Sequence, residues 1–284
     1  MKLLPQLAVL LIPLLSMAGS LADAQPLLPE GAADAQMAAA PAEVQQVIVA
    51  SLKESRPTLT FESVSSTPIP GIYAVKVANG PTLYSTADGR YFVLGDLFEV
   101  TSAGYTNIAE KQRESERAEK LAAIPLDEMI VFSPEEKPAK ASVMVFTDVD
   151  CFYCQKLHKE VPDLNRIGIE VRYLAFPRAG IGSESYKKIA TAWCSSDPQS
   201  ALTKLKNRER LPLNVCPNNP VEKEYRLGSA IGVTGTPALV TSAGQLMPGY
   251  MPALQLAHAL GVEVEPELAK ELMAKQQAAQ QKGH

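Results

Sequence analysis

Cys151 and Cys154 are separated by Phe152 and Tyr153 and follow an apolar run, in the stretch "FTDVDCFYCQKLH" at 146–158. Two thiols at this spacing can form a labile disulfide, close a small structural staple, or give half of a metal site. A staple is the weakest of these readings, because so short a loop constrains the unfolded chain little. Tetrahedral zinc needs further ligands. His158 lies one turn after Cys154 and reads as a partly exposed helix residue, and no second Cys-x-x-Cys is present. No metal is therefore expected. The redox reading has a mechanical basis. If Cys151 opens a helix, unpaired N–H groups and the helix dipole favour its thiolate. The thiolate is the attacking species in thiol–disulfide exchange. Cys154, one turn further on, is placed to attack a mixed disulfide.

The elements around the pair supply that setting. "ASVMVFTDV" is a continuous apolar strand of the kind buried on both faces of a sheet. A helical segment follows the cysteines, and "IGIEVRYLAF" is a second buried strand, so the pair sits in a βαβ unit. Residues 183–230 are mostly helical in pattern. "PALVTSAGQLMPGY" then reads as two strands around a Ser-Ala-Gly turn, and "PALQLAHAL" as a closing helix. Thr236-Pro237 lies between a Gly-rich turn and a strand; a cis peptide there and an ordinary trans proline both fit the pattern.

The chain has 284 residues, 46% hydrophobic and 20% charged, with four cysteines and a formal net charge of −4. No basic surplus exists to neutralise phosphates, which argues against a nucleic-acid partner. Residues 1–24 combine Lys2, an apolar run from Leu7 to Leu15 and small residues ending in Ala22 and Ala24. This is the pattern of a cleaved signal peptide, with cleavage near Ala24. Export favours disulfides. Four cysteines allow three pairings, of which 151–154 with 194–216 is the simplest. Closing the polar stretch between Cys194 and Cys216 is worth about 3 kcal/mol in the chain-entropy model. That pair reads as a structural disulfide, with a second redox pair as the rival.

Upstream, residues 25–40 read as a flexible leader. Residues 41–106 read as a helix, ended by Pro57, and a β-meander with turns at Asn79-Gly80 and Asp88-Gly89. So small a unit buries little core alone, and dimerisation through a strand edge or apolar face would remedy that. Residues 107–124 are charged and helix-favouring without a wide apolar stripe, as in a solvent-bridging linker. Residues 125–265 form the βαβ-containing domain. The tail, 266–284, looks frayed.

Taken together, "VFTDVDCFYCQKLH", "GIEVRYLAFPRAG", "AWC" at 192–194, "GVTGTPALV" and "MPGY" resemble periplasmic thiol:disulfide interchange proteins of the DsbC/DsbG type. The likeness runs from about residue 41 to 260. It implies an α+β cystatin-like N-terminal dimerisation domain, a helical linker, and an α/β thioredoxin-fold domain with a helical insertion. It implies a V-shaped homodimer whose cleft binds misfolded or wrongly disulfide-bonded exported proteins. Cys151 becomes the nucleophile and Cys154 the resolving thiol. Phe152, Tyr153, Thr236 and Pro237 become the active-site loop and substrate contact, with Thr236-Pro237 as the cis-proline loop, and Cys194–Cys216 the structural disulfide. No cofactor is implied beyond the redox-active pair, which a membrane electron donor of the DsbD type would keep reduced.

Two residues depart from the familiar pattern. Phe152-Tyr153 stands where such proteins carry Gly-Tyr or Pro-Tyr, and Asp150 stands where Thr is familiar. A carboxylate beside Cys151 is expected to oppose its thiolate and make the pair more reducing. A dithiol oxidase, a holdase chaperone with incidental thiols and a metal carrier are the competing functions.

Overall fold

The computed structural model describes residues 37–281 apart from Asn79, Ala103 and Glu136. The expected signal peptide 1–24, most of the leader 25–40, Asn79 of the first expected turn and the last three residues of the tail lie outside the described residues.

The N-terminal unit begins with helix α1 (Ala42–Ser55). It packs on an antiparallel meander of β1 (Phe61–Ser66), β2 (Ile72–Val77), β3 (Thr82–Thr86) and β4 (Phe92–Leu94), in that spatial order. Ile48 is fully buried against Val64, Val75 and Leu83, with Ala40 beside them. Val47 is 48% exposed, and Val49 turns inward. The turn at Asp88-Gly89 ties the helix to the sheet. Gly89 has φ +67°, and a Cβ there would lie 2.7 Å from Ser51 Cβ, while Ser51 Oγ donates to the Gly89 carbonyl at 2.9 Å. Only glycine fits so close an approach at that backbone angle.

Five buried apolar residues make a small core. Val44, Val49, Leu52, Phe61, Tyr73 and Val77 pack around it, half-buried, and much of the remaining apolar material is on the surface. Tyr91, Phe92, Val93 and Leu94 are each more than half exposed. So are Phe98, Val100 and Tyr105 on the hairpin of β5 (Phe98–Thr101) and β6 (Gly104–Asn107).

Asn107 caps helix α2 (Ile108–Ala122), its side chain accepting the Glu110 N–H at 3.1 Å. The charged sequence of α2 suggests a solvent-bridging helix, and the structure corrects this. Arg117 is buried, and its guanidinium donates to the carbonyls of Ile231 at 3.0 Å and Gly244 at 2.9 Å, and to Glu110 at 2.8 Å. Gly244 (φ +84°) lies so close that a Cβ would meet the Glu114 carbonyl at 1.7 Å. The helix is docked by this polar anchor together with Leu121, buried at its C-terminal end, a pairing too narrow to read as an apolar stripe.

Beyond a 3-10 turn (Leu126–Glu128), the second unit is built on a five-stranded sheet. In chain order its elements are β7 (Ile130–Phe132), β8 (Ala141–Thr147), α3 (Phe152–His158), α4 (Val161–Ile167), β9 (Ile169–Ala175), α5 (Glu184–Trp193), α6 (Pro198–Lys206), α7 (Val221–Ala230), β10 (Ala238–Thr241), β11 (Leu246–Pro248), α8 (Ala253–Ala259) and α9 (Pro266–Gln281). The spatial order is β11-β10-β8-β9-β7, with β8 and β9 parallel and the other pairs antiparallel. This is a thioredoxin-type sheet, with α5–α7 inserted between β9 and β10.

Period-two alternation along β8 serves both faces. Val143 and Val145 join the larger core with Leu157, Tyr173, Leu202 and Leu256. Met144 and Phe146 join the other with Leu121, Leu174 and Val240. The β8 strand is thus central and rigid. Two elements differ from the sequence reading. The edge strand β7 is only three residues long and escapes pattern detection. The tail is not frayed through residue 278: Leu272 is 5% exposed, Arg166 makes a paired contact with Glu271 at 2.7 Å, and Lys275 pairs with Asp163.

Replacing Arg117 by Met keeps the stem and leaves two buried carbonyls unpaired. We expect a loss of about 1–3 kcal/mol and faster amide hydrogen exchange in α2, with the Cys-x-x-Cys thiol titration unchanged. Hydrogen exchange read by mass spectrometry checks this; unaltered protection of 108–122 would contradict the anchoring role.

Candidate active site

Strand β8 ends at Thr147, and three loop residues carry the chain to Cys151, which caps α3. The cap has extended backbone (φ −83°, ψ 120°), and its sulfur accepts the Cys154 N–H at 3.3 Å. Cys151 therefore fills with a sulfur the place usually taken by an oxygen cap. Both cysteines are free thiols and buried, Cys154 fully. Thr236-Pro237 is a cis peptide, and the Thr236 carbonyl accepts the Cys151 S–H at 3.2 Å. The Thr236 hydroxyl is buried beside the pair and favours the ionised form of both sulfurs. Pro237 is held in turn, its carbonyl accepting the Gly249 N–H at 2.8 Å.

Phe152 and Tyr153 are 61% and 56% exposed, edge to face at 5.4 Å. Tyr153 stacks on Tyr250, 6.5 Å between centroids, and Tyr250 donates to Glu160 at 2.7 Å. The buried sulfurs thus sit beside an exposed aromatic surface. Cys151, Phe152, Tyr153, Cys154 and Thr236 come together here, with Pro237 next in chain. Cys194 and Cys216 do not join them; they form a disulfide (Cα–Cα 5.7 Å) tying the end of α5 to the loop before α7.

The two thiols are electrostatically unlike. The Cys154 side chain bonds to Cys151 and lowers its pKa against the opposing effect of burial. Thr236, the Cys154 N–H and the Arg178 charge act the same way, and Cys151 falls to about 5. Burial drives Cys154 strongly upward, and its bond to the Cys151 sulfur adds to this. One proton is thus shared unequally: a thiolate at Cys151 stands in front of a protonated Cys154.

Asp148 organises the loop. Its buried carboxylate accepts from Ser185 Oγ at 2.6 Å, Asp150 N at 2.8 Å, Arg178 N at 2.9 Å and Arg178 Nε at 3.2 Å. Burial opposes its charge, but these donors outweigh burial and hold its pKa below the ordinary range. Asp150, expected to oppose the Cys151 thiolate, is met by a cation: both its oxygens engage Lys188 Nζ, at 2.9 and 3.0 Å, and the carboxylate is not among the main influences on Cys151. His158 is also corrected from partly exposed to buried. Its ring bonds Tyr173 Oη at 3.0 Å and Thr203 Oγ1 at 2.9 Å, and burial, then the Lys206 charge, lowers its pKa to about 3.

Asp148, Arg178, Lys206 and Tyr250 have no role in the sequence reading. Arg178 and Tyr250 stand within "FPRAG" and "MPGY", but nothing in those strings shows which atoms they reach.

A buried Cys-x-x-Cys with one depressed thiol, on a thioredoxin-type sheet beside a cis-proline loop, defines a thiol–disulfide oxidoreductase. Residues 31–110 match the family described as disulfide bond isomerase protein N-terminal domain, and residues 127–262 match a thioredoxin-like domain. Thiol:disulfide interchange protein DsbC of Haemophilus influenzae is 40% identical over 197 residues, 69% of this chain and 82% of that protein. DsbC of Escherichia coli K12 is 34% identical over 193 residues, 68% of this chain and 78% of that protein. A crystal structure of a disulfide interchange protein from Neisseria gonorrhoeae is 29% identical and aligns with 50% of this chain and all of that one, at a TM-score of 0.44. The chain belongs to the DsbC family of thiol:disulfide interchange proteins.

Thiolate absorbance of the reduced protein should titrate with a midpoint near pH 5 for Cys151. Arg178→Met should raise that midpoint by roughly half to one unit, and Asp150→Thr should leave it in place. The folded pKa lies below that of an unfolded thiol, so the thiolate's contribution to the reduced fold is complete above about pH 8.5 and is lost as pH falls through about 5. Cys151→Ser should abolish this slope in denaturant midpoints measured across pH 5–9.

Proposed function

We propose that Cys151 is the nucleophile and Cys154 the resolving thiol of a disulfide isomerase and reductase that rearranges wrong disulfides in exported proteins. The observation that carries this reading is the asymmetry of the pair. Cys151 is a thiolate near neutral pH at a helix start, and Cys154 is protonated behind it.

The Cys151 thiolate attacks one sulfur of a substrate disulfide. A Cys151–substrate bond forms, the substrate S–S bond breaks, and the second substrate sulfur leaves as a thiolate. In isomerisation another substrate thiolate attacks the mixed disulfide, a correct substrate disulfide forms, and Cys151 is released unchanged. When no such thiol arrives, Cys154 loses its proton and attacks Cys151. The Cys151–Cys154 disulfide forms, and the substrate leaves as a dithiol carrying the two electrons. The enzyme then needs an external reductant, and a membrane dithiol donor of the DsbD type fits that chemistry. No other cofactor enters.

Phe152 and Tyr153 offer apolar contact to an unfolded chain, and the Thr236-Pro237 backbone edge lies beside the reacting sulfur. Cys194–Cys216 acts as a structural tie of the helical insertion. The exposed apolar residues of β4 and the β5–β6 hairpin support a homodimer through the N-terminal units, with misfolded chains bound between them. The signal peptide read at residues 1–24 supports a periplasmic location after cleavage near Ala24. Residues 41–106, 107–124 and 125–265 then serve as dimerisation domain, linker and catalytic domain.

A dithiol oxidase is the second reading, favoured by one observation: a stabilised Cys151 thiolate makes the reduced form the preferred one, so the disulfide is a good oxidant. Reactivation of scrambled ribonuclease, together with alkylation and mass shift of the thiols in cells, separates the two. The isomerase reading expects 151/154 mostly reduced and 194/216 oxidised. It expects Cys151→Ser to be inactive, and Cys154→Ser to retain part of the activity while accumulating covalent substrate adducts. A 151/154 pair found mostly oxidised in cells would instead favour the oxidase, and full activity of the double Ala variant would leave only a holdase.

A further inference from the structure

Lys206, the last residue of α6, is 2% exposed and lies behind the Cys-x-x-Cys. Its Nζ donates to Thr147 Oγ1 at 2.5 Å and to the Asp148 carbonyl at 2.9 Å, and sits 5.9 Å from the Tyr173 ring centroid. Every partner is neutral. The nearest carboxylates are committed elsewhere, Asp148 to Arg178 and Ser185, and Asp150 to Lys188. A buried ammonium without a direct counter-ion is costly and rare outside functional sites.

The groups facing Lys206 identify the missing anion. From the loop after β8 come Asp148 and Asp150, already paired. From α3 come Cys151, Cys154 and His158; His158 is held neutral, with both ring nitrogens bonded to Tyr173 and Thr203. From β9 comes Tyr173, whose phenol burial keeps protonated. Cys154 is the buried group without a stabilised anion. Helix α6 packs on α3, and the Asp148 residue that gives Lys206 its carbonyl also turns its N–H toward the Cys154 sulfur.

We propose that Lys206 is a positioning residue for the resolving half-reaction: its buried charge stabilises Cys154 as a thiolate while Cys154 attacks the Cys151–substrate disulfide. This rests on the assignment of Cys154 as the resolving thiol. In the step, Cys154 gives up its proton and its sulfur bonds to Cys151. The Cys151–substrate S–S bond breaks with its electron pair going to the substrate sulfur, which leaves as a thiolate and is protonated by solvent. Lys206 neither gains nor loses a covalent bond; it lowers the cost of the intermediate anion. Once the Cys151–Cys154 disulfide has formed, Lys206 is again without a counter-ion, which favours reopening of that disulfide by a donor.

Ellman's disulfide, an aryl disulfide oxidant, separates the two steps on the full reduced chain. Attack by Cys151 releases one nitrothiobenzoate at a rate proportional to reagent. Attack by Cys154 releases the second at a rate independent of reagent. Lys206→Met keeps the stem and removes the charge. The first phase should stay within about threefold of the parent. The second should slow by about tenfold or more at pH 7, one decade per unit of thiol pKa, and should converge on the parent rate as pH rises above the variant's thiol pKa. A second phase unchanged in rate and pH profile would overturn the proposal. Absence of any reagent-independent phase in the parent would remove the resolving role of Cys154 as well. Should Lys206→Met fail to fold, 13C-lysine labelling of two variants that lack the Cys151 thiolate gives the answer: the Lys206 titration midpoint should be higher in Cys151→Ser than in the Cys151→Ser/Cys154→Ser double variant, and equal midpoints would overturn the proposal.

Discussion

The 3.3 Å contact from the Cys154 N–H to the Cys151 sulfur is the constraint on which the site depends. It exists only if Cys151 caps α3, and Cys151 can do so only if the chain leaves β8 at a fixed place. The buried β8 strand supplies that. Its alternating residues lock into both cores, so Thr147 and the loop after it have one position. Asp148 then gathers two backbone amides, one hydroxyl and one guanidinium onto a single buried carboxylate. From the opposite side Thr236 closes on the Cys151 sulfur. The low pKa of Cys151 follows first from the Cys154 side chain, then from the Thr236 hydroxyl, the Cys154 N–H and the Arg178 charge together.

The two units of the chain are stabilised by different means. The C-terminal unit has a large apolar core on both sheet faces, closed by a disulfide in its insertion and by α9 against α4 and α8. The N-terminal unit has a small core and much exposed apolar surface. That imbalance is physically tolerable if the exposed strands are covered by a second copy. Helix α2 joins the units, and it is fixed by the Arg117 hydrogen bonds and by Leu121 in the core of the C-terminal unit.

Much of this is legible in the sequence because local rules suffice for it. An apolar run, a Cys-x-x-Cys and a helical segment in succession place a thiol at a helix start without knowledge of the rest. The strands β8, β9 and β10 and the insertion helices follow from periodicity and turn residues. What escapes the sequence is set by distant partners. Asp150 looks like an electrostatic opponent of Cys151 until Lys188, 38 residues on, is found against it. Lys206, 58 residues from the Asp148 carbonyl it bonds, sits in a polar stretch that reads as a solvated loop and helix. His158 looks half exposed because the residues that cover it, Tyr173 and Thr203, lie on β9 and α6. Three-residue β7 and the sparsely apolar α9 are too weakly patterned to stand out. The isomer of Thr236-Pro237 depends on tertiary contacts that no dipeptide encodes.

The central claim is that the site stabilises the reduced pair through the Cys151 thiolate. The most direct measurement is the reduction potential of Cys151–Cys154, read from the fraction reduced across glutathione buffers at pH 7. Stabilising the thiolate raises the potential, so the account predicts a value on the order of −120 to −200 mV. A potential at or below about −270 mV, that of an ordinary reducing thioredoxin pair, would contradict it.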